Sequence, residues 1–396
     1  MRRKKILMLN ASKSDVPLIL AAREEGFYVV TTSNKPDYIG HKYSDEYIPC
    51  DYTDYDGLVN LCKKNNISAV SCGISDGASF PASYLTDYFG WKGHDSYVNI
   101  SKLHNKDEFK ELANKINLKS PKSKGFDNMS DALAYVGELT YPTIIKPVDL
   151  AGGQGISVVN NAKEYVEAVK IAINRSKIKR IVVEPYIVGT QHSFSAFIID
   201  QKVVHFCTWN DLNYPGRYMV SKGSYPAFYE NAKNIDSTIC GEIEKIASEL
   251  KLVDGLFHLQ YIVSNGEPYI IEVMRRTPGN WDTCLSSIAS GVEWNKWIIR
   301  AEAGMDCHGF PRSRVQSGYW GYYCLLGNKN GVMKGVNVSN EIKDNILRFD
   351  RWEDNGFEIT DFEHQKLAIC QFWFSSKEEM DWKMDEIDDL IRVEYE

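Results

Sequence analysis

Apolar residues in this chain fall into short runs separated by polar turns, and the spacing within the runs changes along its length. Ile6–Leu9 is a brief apolar run, Asn10–Asp15 is polar, and Val16–Gly26 has helical spacing closed by a glycine. Phe27–Thr32 and Ile67–Cys72 are further apolar runs of strand length, the second followed by the polar stretch Gly73–Gly77. Strands alternating with helical stretches predict a parallel sheet covered by helices. Ligands on such sheets sit at the carboxyl ends of strands, so Asn10–Asp15 and Gly73–Gly77 are either candidate walls of a site or plain turns.

A second region begins near Asn99. Lys106–Leu118 places Phe109, Leu112, Ala113 and Ile116 on one helical face, and Pro121 closes it. Strands are predicted at Pro142–Pro147, Ile156–Val159, Arg180–Tyr186, His192–Asp200, Lys202–Trp209, Leu256–Val263 and Pro268–Val273, with a helix at Lys163–Asn174. Trp209–Glu230 reads as a long loop rich in Tyr, Gly and Pro, and a third region from about Cys307 mixes short strands with a final acidic helix, Lys377–Ile391. The fold class is therefore α/β together with α+β, and 396 residues suffice for two or three domains.

Composition narrows the function classes. A net charge of −7 argues against nucleic acid as the main partner, because phosphate backbones draw on clustered Lys and Arg. The nine cysteines are scattered without a CxxC pair, which reads as reduced thiols in a cytoplasmic protein. The opening MRRKKILMLN carries too short an apolar run for a signal-peptide core, and no stretch reaches membrane-spanning length.

Three segments carry candidate chemistry. In Ile144–Ile156, Lys146 ends a strand and Gly152, Gly153, Gln154 and Gly155 form a turn whose backbone N–H groups can approach phosphate oxygens. It is neither a Walker loop nor a dinucleotide fingerprint, and a plain hairpin has the same pattern. In Ile181–Gly189, Glu184 ends an apolar strand, and Tyr186 and Ile187 can offer backbone groups to an adenine edge; a strand closed by a gatekeeper glutamate is the alternative. In the third, Leu256–Val263 and Tyr269–Val273 flank the turn Ser264–Glu267, so Gln260 and Glu272 can lie side by side on a hairpin. An amide oxygen beside a carboxylate suits Mg²⁺, and Arg275 and Arg276 just beyond suit an anionic ligand, although a surface ion-pair cluster has the same residues.

The order of these segments resembles the ATP-grasp superfamily over nearly the whole chain. The resemblance implies a Rossmann-like pre-ATP-grasp domain at 1–98, an ATP-grasp domain at 99–305 with a lid subdomain at about 122–190, and a C-terminal α+β domain at 306–396. It implies ATP and Mg²⁺ (or Mn²⁺) as cofactors. Lys106, Lys146, Gly152, Gly153, Gln154, Gly155, Glu184, Tyr186, Ile187 and Gln191 would bind the nucleotide. Gln260 and Glu272 would bind the metal, and Lys146, Arg276 and Arg275 would act in catalysis. Two departures stand out: Gln191 replaces a ribose-binding glutamate, and Met274 replaces a metal-binding asparagine. A thioether is a poor Mg²⁺ ligand.

The activity implied is that of a carbon–nitrogen ligase, which forms an acyl phosphate from a small carboxylate and couples it to an amine. A homodimer is implied; nucleic acid and membrane partners are not. The loop around Asn210, Asp211, Arg217 and Lys222 would close over the substrate. Two alternatives are a bicarbonate-using enzyme similar to carbamoyl phosphate synthetase, whose metal glutamine Gln260 matches, and a non-catalytic ATP sensor, which Met274 motivates.

Overall fold

The structure is a computed structural model, and it describes residues 3–150, 154–214, 220–228 and 231–396. The amino-terminal strands Lys5–Leu9, Tyr28–Thr32, Glu46–Tyr47 and Ile67–Ser71 form a parallel sheet in the sequence order 3-2-1-4. Their apolar runs are buried on both faces, as a parallel sheet requires. Order reverses between Lys5–Leu9 and Ile67–Ser71, so the turns after Leu9 and Ser71 meet there; Asp15 accepts a hydrogen bond from the Ile74 N–H at 3.0 Å.

A second sheet of four antiparallel strands runs Lys124–Phe126, Ile181–Pro185, Thr143–Pro147, Ser157–Val159. Ile145, Ile181 and Val183 pack on Tyr165, Val169 and Ala172 of the helix Ala162–Arg175. By alternation Ile144, Lys146, Val182 and Glu184 occupy the other face.

The largest sheet has eight antiparallel strands. In order they are Glu267–Met274, Gly255–Ser264, Thr190–Ile199, Lys202–Asn213, Ser221–Pro226, Tyr319–Leu326, Lys366–Phe374 and Ile346–Arg351. Phe194, Ala196, Phe257, Leu259 and Val273 turn to the helices Lys106–Lys115 and Ala232–Leu250. In the latter, Ile235, Ile239, Ile243 and Ile246 form a stripe at helical spacing, each contributing about 1.5–3 kcal/mol by burial. This helix was not among the predicted elements.

Two sequence expectations need correction. Trp209–Glu230 is not one long loop: its first residues complete the strand Lys202–Asn213, and Ser221–Pro226 pairs with it. The final acidic helix is broken, running Lys377–Asp385, then Ile387–Leu390, and finishing in the strand Ile391–Tyr395. Strands on both sides of residue 305 belong to the eight-stranded sheet. Among the described residues no helix is long and apolar enough to cross a membrane.

The amino-terminal sheet docks through the helix Trp294–Glu302, which packs on Val16–Glu24 and pairs Arg300 with Glu25 at 2.9 Å. The chain passes this helix at Gly93, where an added Cβ would lie 1.7 Å from the Glu302 carbonyl oxygen. Substituting Gly93→Ala must push backbone against backbone, and we expect a stability loss of about 1–3 kcal/mol or more, read as a lower Tm.

Candidate active site

Alternation decides which side chains enter the crevice between the second sheet and the eight-stranded sheet. Gln260 and Glu272 are cross-strand partners, and His258 faces Met274 one step along. Arg276 extends the face that carries Glu272 and Met274, and Arg275 turns away from it. The sequence expectation that both arginines grip a ligand is therefore corrected. Arg275 is buried on the reverse side, where its Nε donates to Asp95 at 2.7 Å and its other nitrogens to the Val253 and Leu256 carbonyls. It is a structural tie to the segment after the amino-terminal sheet.

Arg276 is only partly buried, its side chain 11% exposed, and it reaches across to that sheet. Its Nε donates to Asp76 at 2.6 Å and its NH1 to the Thr277 carbonyl at 2.9 Å. Burial opposes the guanidinium charge, and Asp76 with Glu272 outweighs it. The Gly73–Gly77 turn thus borders the site through Asp76.

The helix Lys106–Lys115 points two lysines, one turn apart, at the crevice. Lys106 Nζ donates to the Leu150 carbonyl at 3.0 Å and pairs with Glu272 at 3.3 Å. Lys110, which the sequence reading missed, pairs with Glu184 at 3.1 Å and donates to Ser120 at 2.8 Å. Lys146 grips the other oxygen of Glu184. Burial lowers the Lys110 pKa, an effect that Glu184 partly offsets. Burial alone would raise Glu184, but the two ammonium groups hold it below the usual carboxylate range. The signal for Lys110 was present as a lysine four residues after Lys106, beside the apolar Phe109. Glu184 is thus engaged by both lysines while it lines the larger cavity described below.

Two cavities adjoin along this crevice and share Gln191, Asn213 and Gln260. The larger, about 340 Å³, is walled by Ile144, Pro185, Tyr186, Ile187, Ile262 and Ile271 with Lys146 at one side. That is the volume and apolar lining of a small-ligand site. The Tyr186 N–H is committed to the Pro142 carbonyl at 3.0 Å, so a hinge contact to a base would fall to Ile187. Gln191 accepts from Asn213 at 3.0 Å. Gly155 holds φ +73° and packs on Pro147, a place where a side chain would strain the turn. Gln154 is exposed, and Gly152 and Gly153 lie outside the described residues.

The smaller cavity, about 130 Å³, holds Arg276, Met274, Asp211 and Asp282. Burial pushes both Asp211 and Asp282 up to about 7. Asp211 accepts from Ser193 at 2.8 Å, and Ser195 joins His258 at 2.8 Å and Asp282 at 3.4 Å. Asp282, which the sequence reading did not single out, lies a short way in sequence beyond the hairpin strand Glu267–Met274. Of the other loop candidates, Lys222 pairs with Asp388 at 2.7 Å, and Arg217 lies outside the described residues. Asn210 is in the strand Lys202–Asn213 and acts on His192.

Comparison with known proteins came from sequence and from structure. Residues 104–215 match the family model of phosphoribosylglycinamide synthetase, ATP-grasp (A) domain. Over 100% of both chains, the structure is similar to phosphoribosylglycinamide synthetase from Anaerococcus prevotii, with TM-score 0.80 and 21% identity. L-amino acid ligase from Bacillus licheniformis gives TM-score 0.84 at 18% identity, again over 100% of both chains. The biotin carboxylase domain of Hydrogenobacter thermophilus 2-oxoglutarate carboxylase, solved with MgADP, ADP and bicarbonate, gives 0.80 at 18% identity, over 100% of this chain and 91% of that one. Along its whole length the chain shares the fold of these solved structures, and residues 104–215 match the ATP-grasp family model.

Two outcomes check this geometry. Arg275→Met leaves Asp95 buried and unpaired, so urea unfolding should show a loss of about 3–5 kcal/mol, with nucleotide affinity retained. Burial lowers His104 and His192 to about 4 and His258 to about 3, whereas exposed His308, bonded to Asp306 and Asp200, is raised. Imidazole NMR shifts should stay at neutral-form values for the first three from pH 8 down to about 5, while His308 should titrate above the ordinary imidazole value.

Proposed function

We propose that this chain, an ATP-grasp protein by its fold, is an ATP-dependent carbon–nitrogen ligase whose reaction centre is the junction of the two adjoining cavities. The single observation that carries the reading is convergence. Lys146 and Gln260 line the larger cavity, Gln260 and Arg276 the smaller one that adjoins it, and Lys106 pairs with Glu272, the cross-strand partner of Gln260.

The base and sugar of ATP suit the larger, apolar cavity. Lys146 and Lys106 lie where phosphates would leave it. The oxygen donors of Gln260 and Glu272 fit a hard divalent cation, while Met274 contributes none. When bound, Mg²⁺ draws charge off the phosphate oxygens. A substrate carboxylate in the smaller cavity attacks the γ-phosphorus; an O–P bond forms and the bond to ADP breaks. Arg276, fixed by Asp76, faces the developing charge. An amine then attacks the acyl carbon, a C–N bond forms, and phosphate leaves. Asp211 and Asp282, poised near 7, suit acceptance of the proton that the amine sheds.

Purified protein with ATP and Mg²⁺ should release ADP and phosphate only with a productive carboxylate and amine, and hydroxylamine should trap the acyl phosphate. Arg276→Met should lower kcat by about 100-fold or more with ATP affinity preserved. Met274 favours one other reading, an ATP binder without turnover. Tight ATP binding with no ADP release across a panel of amino acids, other carboxylates and bicarbonate would establish that reading and sink the ligase.

A further inference from the structure

Behind Arg276, away from the crevice, three side chains from distant parts of the sequence meet in the interior. Cys72 follows the strand Ile67–Ser71, His94 lies between the helices Asp76–Phe89 and Tyr97–His104, and Glu302 ends the helix Trp294–Glu302. All three are buried, and one donor atom of each lies within 4.8 Å of the other two.

The details favour a cation over a simple hydrogen-bonded cluster. Cys72 Sγ lies 3.2 Å from Glu302 Oε1. Zinc–sulfur and zinc–oxygen bonds of about 2.3 and 2.1 Å in a tetrahedron would set that edge at roughly 3.6 Å. His94 Nε2 is 2.9 Å from the Val70 carbonyl and donates to it, which leaves the Nδ1 lone pair for a ligand. Metal-binding histidines are commonly oriented by such a carbonyl. Glu302 Oε2 is buried with no hydrogen-bond partner, and the Ser79 hydroxyl hydrogen-bonds the Cys72 sulfur. An unsatisfied buried carboxylate oxygen is costly. A cavity of about 20 Å³, lined in part by His94 and Glu302, has room for one water as a fourth ligand.

We propose that Cys72, His94 and Glu302 bind a transition-metal ion of the zinc type. Thiolate and imidazole select such an ion over Mg²⁺, and thiolate plus carboxylate cancel its two charges. Of the other charged groups nearby, Asp15 acts on Glu302 and Arg276 on Cys72. Binding replaces the Cys72 thiol proton, which goes to solvent, and no electron moves. The ion pins the amino-terminal sheet, the segment after it and the docking helix at one point. The Gly73–Gly77 turn, which carries Asp76 to Arg276, starts at the next residue.

The test uses tag-free full-length chain, stripped with a chelator and reloaded with Zn²⁺ or Co²⁺. Expected are one metal per chain by mass spectrometry, a raised Tm, and for Co²⁺ a near-ultraviolet thiolate charge-transfer band. Cys72→Ala should abolish the band, and Glu302→Gln, which keeps the packing volume, should weaken uptake against a chromophoric chelator. Glu272→Gln should leave uptake intact, separating this site from the crevice. Wild-type chain that takes up neither ion, or uptake unchanged in both Cys72→Ala and Glu302→Gln, overturns the proposal.

Discussion

A carboxylate held between two ammonium groups, out of water, governs the rest of this site. Burying Glu184, Lys110 and Lys146 singly would neutralise each of them; together, each charge supports the next. One excess positive charge remains, beside the crevice. The same cluster joins the second sheet to the helix Lys106–Lys115, so the width of the crevice depends on an electrostatic contact as well as on packing. Arg180, paired with Asp107 of that helix, adds a second tie.

Much of this was legible in the chain. Period-two alternation set Gln260 against Glu272, and that pairing is present in the register. Alternation also separates Arg275 from Arg276, and treating them as one unit was the error. Their opposite partners, Asp95 and Asp76, lie about 180 to 200 residues earlier, and no local pattern announces either. Lys110 was overlooked because a lysine beside a helix's apolar face reads as solvated unless its partner is known.

The misses in the fold have related causes. The tyrosines and glycines of 209–230 read as loop, but cross-strand pairing to Lys202–Asn213 and Tyr319–Leu326 makes Ser221–Pro226 a strand. Strands of the carboxyl-terminal region join the same sheet. Backbone hydrogen bonds across residue 305 continue one sheet, and the sequence holds no marker of which strand edge is open.

Lys106 has a last implication. Its ammonium touches both the Leu150 carbonyl, at the entrance to the glycine turn, and Glu272. Under the proposed reading it is a placeholder, occupying with a monovalent charge the spot where a divalent ion would compete. Arrival of the metal would displace the lysine from Glu272, and any shift of that ammonium is felt at Leu150. Loading of the cation and the hold on the Leu150 carbonyl then become one event, transmitted through a single flexible side chain.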